Sequence, residues 1–78
     1  MATTIITGTF EELDYRESDG IEVSLLWNRA TGALSVLVVD AKTDEQFELR
    51  VSAAEAAEVF RHPFAYAHSH RIEEPEYA

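Results

Sequence analysis

Cysteine is absent from this chain, and its absence excludes several kinds of chemistry at once. Without it there can be no disulfide framework, no thiolate metal ligand and no cysteine nucleophile. At 78 residues the chain has room for one domain with a modest core, a size at which folds are marginally stable unless something else supports them. Self-association is therefore one expected source of support.

Basic residues are scarce. Six Lys and Arg stand against fifteen Asp and Glu, which leaves a formal net charge of −9. This charge repels phosphate backbones and anionic membrane surfaces, so we predict neither nucleic acid nor a membrane as a partner. Long apolar runs are missing too, and residues 1–6 lack the basic start of a secretory signal, so we expect a cytoplasmic protein.

Motifs for catalysis and for nucleotide binding are also missing. The three glycines, Gly8, Gly20 and Gly32, are isolated from one another, and no serine lies in a Gly-x-Ser-x-Gly pattern. Carboxylate pairs occur only within acidic runs, and a chain of this size has little scaffold to enclose a dry pocket around them. We therefore predict no enzymatic activity, no catalytic residue and no cofactor.

What the chain does have is a period-two apolar pattern over residues 20–52, interrupted by two similar turns at residues 28–32 and 40–44. In each turn, Asn or Asp can bond the backbone two residues on, and a later Gly or Asp tolerates a left-handed conformation. If each turn encloses four residues, the large apolar residues pair on one face of a three-stranded sheet. The predicted pairs are Trp27 with Leu34, Leu25 with Val36, Val23 with Val38, Val38 with Phe47, Val36 with Leu49, and Leu34 with Val51.

A helix is predicted after the sheet. Ser52-Ala53-Ala54-Glu55 has the pattern of a capping box, in which Ser52 and Glu55 each accept a hydrogen bond from the other's backbone amide. The helix is expected to end near His62, because Pro63 disfavours helical geometry in the residue before it. The apolar stripe of this helix is predicted to hold Ala53, Ala56, Ala57, Phe60 and Phe64, with Phe60 as its main anchor.

The pattern before Gly20 is weaker, because Phe10, Leu13 and Tyr15 do not share one period. We expect a further strand that ends near Arg16, with residues 18–20 as the turn into the next strand. The predicted fold class is α+β, an antiparallel β-meander of three to four strands followed by one C-terminal α-helix packed on one face. Residues 1–70 are predicted to form a single domain, and residues 71–78 a mobile acidic tail.

The face of the sheet opposite the helix is the first candidate for a function. The register places Leu26, Leu37 and Val39 on it as an apolar island, with Glu48 and Arg50 in the polar rim. Such an island suits an interface, either in a homodimer or with another protein, unless residues 5–6 or the C-terminal aromatics fold across it. The strand that contains Phe47 could also form an exposed sheet edge, which a partner strand can extend.

An acidic stretch runs from Glu11 to Glu22. It contains six carboxylates against a single guanidinium, that of Arg16, for a local net charge of −5. One interpretation is an acidic surface that attracts a basic partner or a cation. The other is a solvated turn and edge strand that charge keeps soluble.

Three histidines, His62, His68 and His70, lie close together near the C-terminus. On an extended backbone His68 and His70 share a face and could bind one metal ion. A third ligand would have to come from His62, Glu73 or Glu74, none of which has a diagnostic spacing. The alternative is that these residues belong to a polar segment without a metal.

The segments Gly20-Ile21-Glu22-Val23-Ser24-Leu25-Leu26-Trp27 and His62-Pro63-Phe64-Ala65-Tyr66-Ala67 resemble those of short actinobacterial-type proteins of unknown function. The resemblance implies no activity, substrate or catalytic residue. From the residues themselves we predict a small acidic, non-catalytic protein-interaction or regulatory module that self-associates through the open sheet face or a sheet edge. The alternative function is a metal-binding or metal-sensing protein that uses the histidine cluster. The sequence identifies no small-molecule ligand.

Overall fold

The computed structural model describes residues 10–72 of the chain. Four antiparallel strands form one sheet in sequence order, and a short helix followed by a single 3-10 turn packs against it. This arrangement confirms the predicted α+β meander with one C-terminal helix. The elements are β1 (Phe10–Ser18), β2 (Ile21–Asn28), β3 (Leu34–Asp40), β4 (Glu45–Val51), α1 (Ala56–Arg61) and the 3-10 turn (Pro63–Ala65).

The turn residues adopt the conformations that their chemistry favours. Asp19 and Gly20 join β1 to β2 with φ of 59° and 82°, a two-residue turn of the kind that matches the twist of a hairpin. Between β2 and β3, the side chain of Asn28 accepts hydrogen bonds from the amides of Ala30 and Thr31 at 2.9 and 3.3 Å. The turn between β3 and β4 repeats this device, because Asp40 accepts from the Lys42 amide at 3.0 Å.

The strand register agrees with the predicted register at every apolar pair, from Trp27 opposite Leu34 to Leu34 opposite Val51. These pairs put the main core on the face that α1 covers. Within that core the fully buried side chains, all without exposed surface, are Val23, Val36, Val38, Leu49 and Val59. A slip of one residue in any strand would expose this set, so burial fixes the register.

The helix differs from its prediction in its start and in its buried side. The capping box forms, with the Ser52 amide donating to the Glu55 carboxylate at 3.0 Å, but residues 53–55 make a turn and α1 begins only at Ala56. Ala56 and Val59 face the sheet, whereas Ala53 and Ala57 are exposed and Phe64 keeps 54% of its surface exposed. The anchor is therefore Val59 and not Phe60.

Phe60 is only half-buried because it lies at the margin of the core, under the side chain of Arg16. The Arg16 guanidinium lies 5.4 Å from the centre of the Phe60 ring. It also donates hydrogen bonds to the carbonyl oxygens of Phe60 and Arg61, at 2.9 and 3.1 Å. A cation at these carbonyls suits the negative end of α1 and ties β1 to the helix.

The chain after the helix returns to the outer edge of β4. The Arg50 amide donates to the carbonyl of His70, and the Ile72 amide donates to the carbonyl of Glu48, both at 2.9 Å. Arg71 and Ile72 thus pair with β4, with Arg71 opposite Leu49, although both belong to the predicted tail. The expectations for residues 5–6 and for residues 73–78, including Glu73 and Glu74, lie outside the described residues.

Among residues 10–72, no helix is long and apolar enough to cross a membrane.

Candidate protein-interaction surface

The structure brings the five predicted interface residues onto one face of the sheet. Strand pairing sets Leu37 opposite Glu48, while Leu26 and Arg50 both lie opposite the neighbouring Ser35. The island is not open, however. Leu26 and Leu37 keep 2% and 7% of their surface exposed, and Glu48 keeps 1%. Of the remaining two, Val39 is partly buried and Arg50 is exposed.

Phe10, at the start of β1, packs with Leu26 and Leu37 as a second small core, with Val39 at its margin. The sequence did not predict this contact, because Phe10 does not share one alternating pattern with Leu13 and Tyr15. This face is already buried within a single chain. It therefore belongs to the core of the fold and leaves little apolar surface for an interface.

The two outer strands of the sheet differ in what lies beside them. The outer side of β4 is paired with residues 70–72, so the expected open edge at the Phe47 strand is occupied along Glu48 to Arg50. The outer side of β1 has no neighbouring strand among residues 10–72. Within the described chain, β1 is therefore the edge that a further strand can extend.

The hairpin geometry tells which backbone groups of β1 point away from β2. A two-residue turn makes Ser18 and Ile21 a hydrogen-bonded pair, and such pairs alternate along an antiparallel ladder with pairs that do not exchange hydrogen bonds. The amide and carbonyl groups of Glu17 and Tyr15 consequently face outward. Consistent with this, the Tyr15 amide donates to the side chain of the preceding residue, Asp14, at 2.8 Å.

A β-bulge interrupts β1 at Leu13. Glu12 lies opposite Leu26 and Asp14 lies opposite Leu25, so Leu13 is an extra residue between them. The bulge explains why Phe10, Leu13 and Tyr15 share no single period. It also leaves the Leu13 side chain 48% exposed, and it separates a regular stretch from Asp14 to Ser18 from a second one from Phe10 to Glu12.

The side chains of β1 give this edge a strong negative charge. The strand carries four carboxylates against the guanidinium of Arg16, a net charge of −3. Arg16 points toward α1 and is engaged there, as described above. Glu11 forms an ion pair with Arg29 at 3.1 Å. In the described chain, Glu12, Asp14 and Glu17 have no such basic partner.

Tyr15 lies in the middle of this field, with 47% of its surface exposed. Partial desolvation raises the pKa of its phenol above the ordinary value of 10.0, and the nearby carboxylates of Glu22, Glu17 and Glu12 raise it further. A phenolate would place one more negative charge among these groups, so the part of the rise that comes from the carboxylates reflects a negative potential at the ring.

The three histidines do not form a cluster in the structure. His62 and His68 are exposed, and His70 alone is partly buried, with the ring of Tyr66 packed edge-on at 5.1 Å. Both ring nitrogens of His70 are engaged, Nδ1 with the Ser69 hydroxyl at 2.7 Å and Nε2 with the Glu55 carboxylate at 3.0 Å. Residues 10–72 contain no group of three or more side chains placed to hold a metal ion.

The contacts from Ser69 through His70 to Glu55 have the connectivity of a serine, histidine and acid triad. Their surroundings differ from those of a catalytic site, because Ser69 lies on an exposed turn where water reaches it freely. The contacts join the start of the helix to the segment that pairs with β4. The amide of Ser52 and then the His70 side chain lower the pKa of Glu55, and partial desolvation opposes them.

Comparison of the chain with protein-family models, with curated proteins and with solved structures found no match. A functional assignment therefore has to be argued from the residues and contacts described above. Within residues 10–72, the outer edge of β1 is acidic and has no strand beside it.

Proposed function

We propose that this chain is a non-catalytic protein-interaction module that receives an extended segment of a partner along the outer edge of β1. The observation that carries the proposal is the difference between the two sheet edges. Residues 70–72 occupy the edge of β4, whereas the outward amides and carbonyls of Tyr15 and Glu17 have no strand beside them in residues 10–72. Main-chain pairing at such an edge supplies affinity without a pocket.

Self-association, the mode that we predict from the sequence, has less support than binding of a different protein. The Leu26 and Leu37 face is buried within one chain, so it offers little apolar area to a second copy. Pairing of β1 with β1 of a second copy would bring two strands together that each carry a net charge of −3. Like charges placed side by side across strands are destabilising, so the edge favours a different protein as its partner.

A proline in the edge tests this proposal. The Glu17 amide points away from β2, so Glu17→Pro removes a donor that the internal ladder does not use and sets a bulky ring in the path of an incoming strand. Glu17→Gln is the matched control, because it removes the same charge and keeps the amide.

The probe is a library of short random peptides, displayed on phage and selected against the folded chain. We expect selected peptides that bind the wild type and Glu17→Gln but lose binding to Glu17→Pro, while circular dichroism shows that all three chains are folded. Peptides that bind Glu17→Pro as tightly as Glu17→Gln would contradict the proposal. So would a selection that yields no binder.

A further inference from the structure

We infer that the segment received by β1 is cationic and carries Lys or Arg at every second position, with its basic side chains on the face of Glu12, Glu17 and Glu22. This inference rests on the proposed function and specifies the partner's chemistry. The two faces of β1 carry different charges beside the edge that no strand of residues 10–72 covers.

One face of β1 is uniformly negative near the edge. Strand pairing sets Glu17 directly opposite Glu22 and Tyr15 opposite Ser24, and Glu12 lies on the same face beyond the bulge. Two carboxylates opposite each other repel, and no basic side chain of residues 10–72 forms an ion pair with either of them. A cationic side chain on a strand beside Glu17 would lie within reach of both, so it would relieve a repulsion as well as add an attraction.

The other face of β1 is different because Arg16 lies on it. Arg16 is opposite Val23, and its guanidinium is bound to the end of α1 through the carbonyls of Phe60 and Arg61. Asp14 lies on this face too, with its carboxylate accepting a hydrogen bond from the Tyr15 amide, and a second cation here would stand beside the Arg16 guanidinium. The two faces together favour a strand whose basic residues alternate with uncharged ones, because successive side chains of a strand point to opposite faces.

Tyr15 adds a contact suited to the same partner. Its ring is half exposed on the negative face, and the face of an aromatic ring attracts a cation. Partial desolvation is the largest cause of the raised pKa of its phenol, and the carboxylates of Glu22 and Glu17 raise it further. An aliphatic stem of Lys or Arg could cover the ring while its charged end reaches Glu17 or Glu22.

The bulge limits the length of the pairing. Bulges bend a strand and increase its twist, so the stretch from the turn to the bulge, residues 14–18, is the uninterrupted one next to the turn, and Tyr15 and Glu17 offer its outward groups. The Tyr15 amide would exchange its contact with Asp14 for a carbonyl of the partner. The expected ligand is thus a short strand, which in a partner protein would be an exposed basic edge or an extended terminus.

Four synthetic peptides test the inference against the full chain. The first, acetyl-TKVKVKT-amide, has the alternating pattern. The second, acetyl-TKKKVVT-amide, has the same composition without the alternation. The third, acetyl-TQVQVQT-amide, keeps the alternation without charge, and the fourth is the first peptide with an N-methyl group on every residue, which removes the backbone donors from both of its edges. Binding is followed by the backbone amide signals of the isotopically labelled protein.

We expect the alternating cationic peptide to bind about tenfold more tightly than the block and neutral peptides, and to shift the Tyr15 and Glu17 amides most. In the variant Glu12→Gln/Glu17→Gln its affinity should fall about fivefold. The matched control Glu45→Gln/Glu58→Gln, with the same change in net charge at exposed positions elsewhere, should change it less than about twofold.

The outcomes separate this inference from the function on which it rests. If the neutral peptide binds as tightly as the cationic one and shifts the same amides, pairing at the edge holds and the inference of a cationic partner is wrong. If the block peptide binds equally well and shifts the same amides, pairing at the edge holds and the inferred alternation is wrong. If the N-methylated peptide binds equally well, the attraction is electrostatic without strand pairing, and both fail. If no peptide shifts β1, the proposed function fails.

Discussion

At the scale of single residues, the surface around Tyr15 is where charge has its clearest measurable effect. After partial desolvation, Glu22 is the next largest cause that raises the pKa of the Tyr15 phenol. We predict that Glu22→Gln lowers this pKa toward its ordinary value, since one negative charge is removed from beside the ring. Absorbance of tyrosinate in an alkaline titration measures it, with Tyr15→Phe to identify the signal.

Glu45→Gln is the control for this titration, because it removes an exposed carboxylate on β4, at the far side of the sheet. It should leave the Tyr15 signal in place. If Glu22→Gln and Glu45→Gln shifted the titration equally, the pKa would report the net charge of the whole chain and not the local potential at β1.

At the scale of elements, the contact between Glu55 and His70 joins the start of α1 to the segment beside β4. The Ser52 amide and then His70 lower the pKa of Glu55, so the folded state binds its proton less readily than the unfolded chain does. The stabilisation is therefore complete above the ordinary pKa of a glutamate, 4.5, and is lost as the pH falls through the lower pKa of the folded state.

We accordingly predict that Glu55→Gln is less stable than the wild type at neutral pH, and that the difference shrinks as the pH falls below about 4. Urea denaturation at a series of pH values measures it. Glu45→Gln is again the control, because the Glu45 side chain accepts no hydrogen bond within the described residues. A difference for Glu55→Gln that stayed constant down to low pH would contradict the role of its charge.

How far the sequence predicts each element depends on how local the deciding interaction is. The register of β2 to β4 follows from turn residues and period two, both of which act within a few positions. The sequence pattern does not show which side chains of β1 lie on which face. The bulge at Leu13 inserts one residue and moves the side chains that precede it to the other face. The acidic charge of the edge was visible in the sequence, but its exposed position required the sheet order.

The remaining errors arise from contacts between distant parts of the chain. The burial of Leu26 and Leu37 involves Phe10, which lies sixteen or more positions away along the chain. The helix turned out to be anchored by Val59, because α1 starts at Ala56 and because Arg16 of β1 takes the position over Phe60. Neither contact leaves a periodic signal, so pattern alone could not locate them.

At the scale of the whole molecule, Leu26 and Leu37 belong to a buried second core. A mutation at these predicted interface residues should therefore change the stability of the fold. Leu37→Glu would bury a carboxylate directly opposite Glu48, which itself keeps only 1% of its surface exposed. We expect a loss of about 3 kcal/mol or more in the free energy of unfolding, and not a mere change of oligomeric state. Val39→Glu, on the same face but only partly buried, should cost less.

Circular dichroism with light scattering distinguishes the two possibilities for Leu37→Glu. A folded monomer obtained from a dimeric wild type would show that this face is an interface between copies. An unfolded or strongly destabilised chain would agree with a face that each chain buries for itself.

The acidity of β1 also predicts when copies of this chain should associate. At neutral pH the net charge of −9 and the four carboxylates of β1 oppose pairing of two open edges. The variant Glu12→Gln/Asp14→Asn/Glu17→Gln removes three of these charges and keeps the outward backbone groups. We predict that it associates at neutral pH at concentrations at which the wild type stays monomeric.

Light scattering across a concentration series measures this association. The matched control is Asp44→Asn/Glu45→Gln/Glu58→Gln, which removes the same number of negative charges at exposed sites away from β1. Asn is chosen at position 44 because it tolerates the φ of 61° found there. If this control associates as strongly, the net charge and not the β1 edge keeps the copies apart. If neither variant associates while the wild type is monomeric, β1 is closed to strands by its bulge and by the Asp14 contact, and the carboxylates have a purely solubilising role.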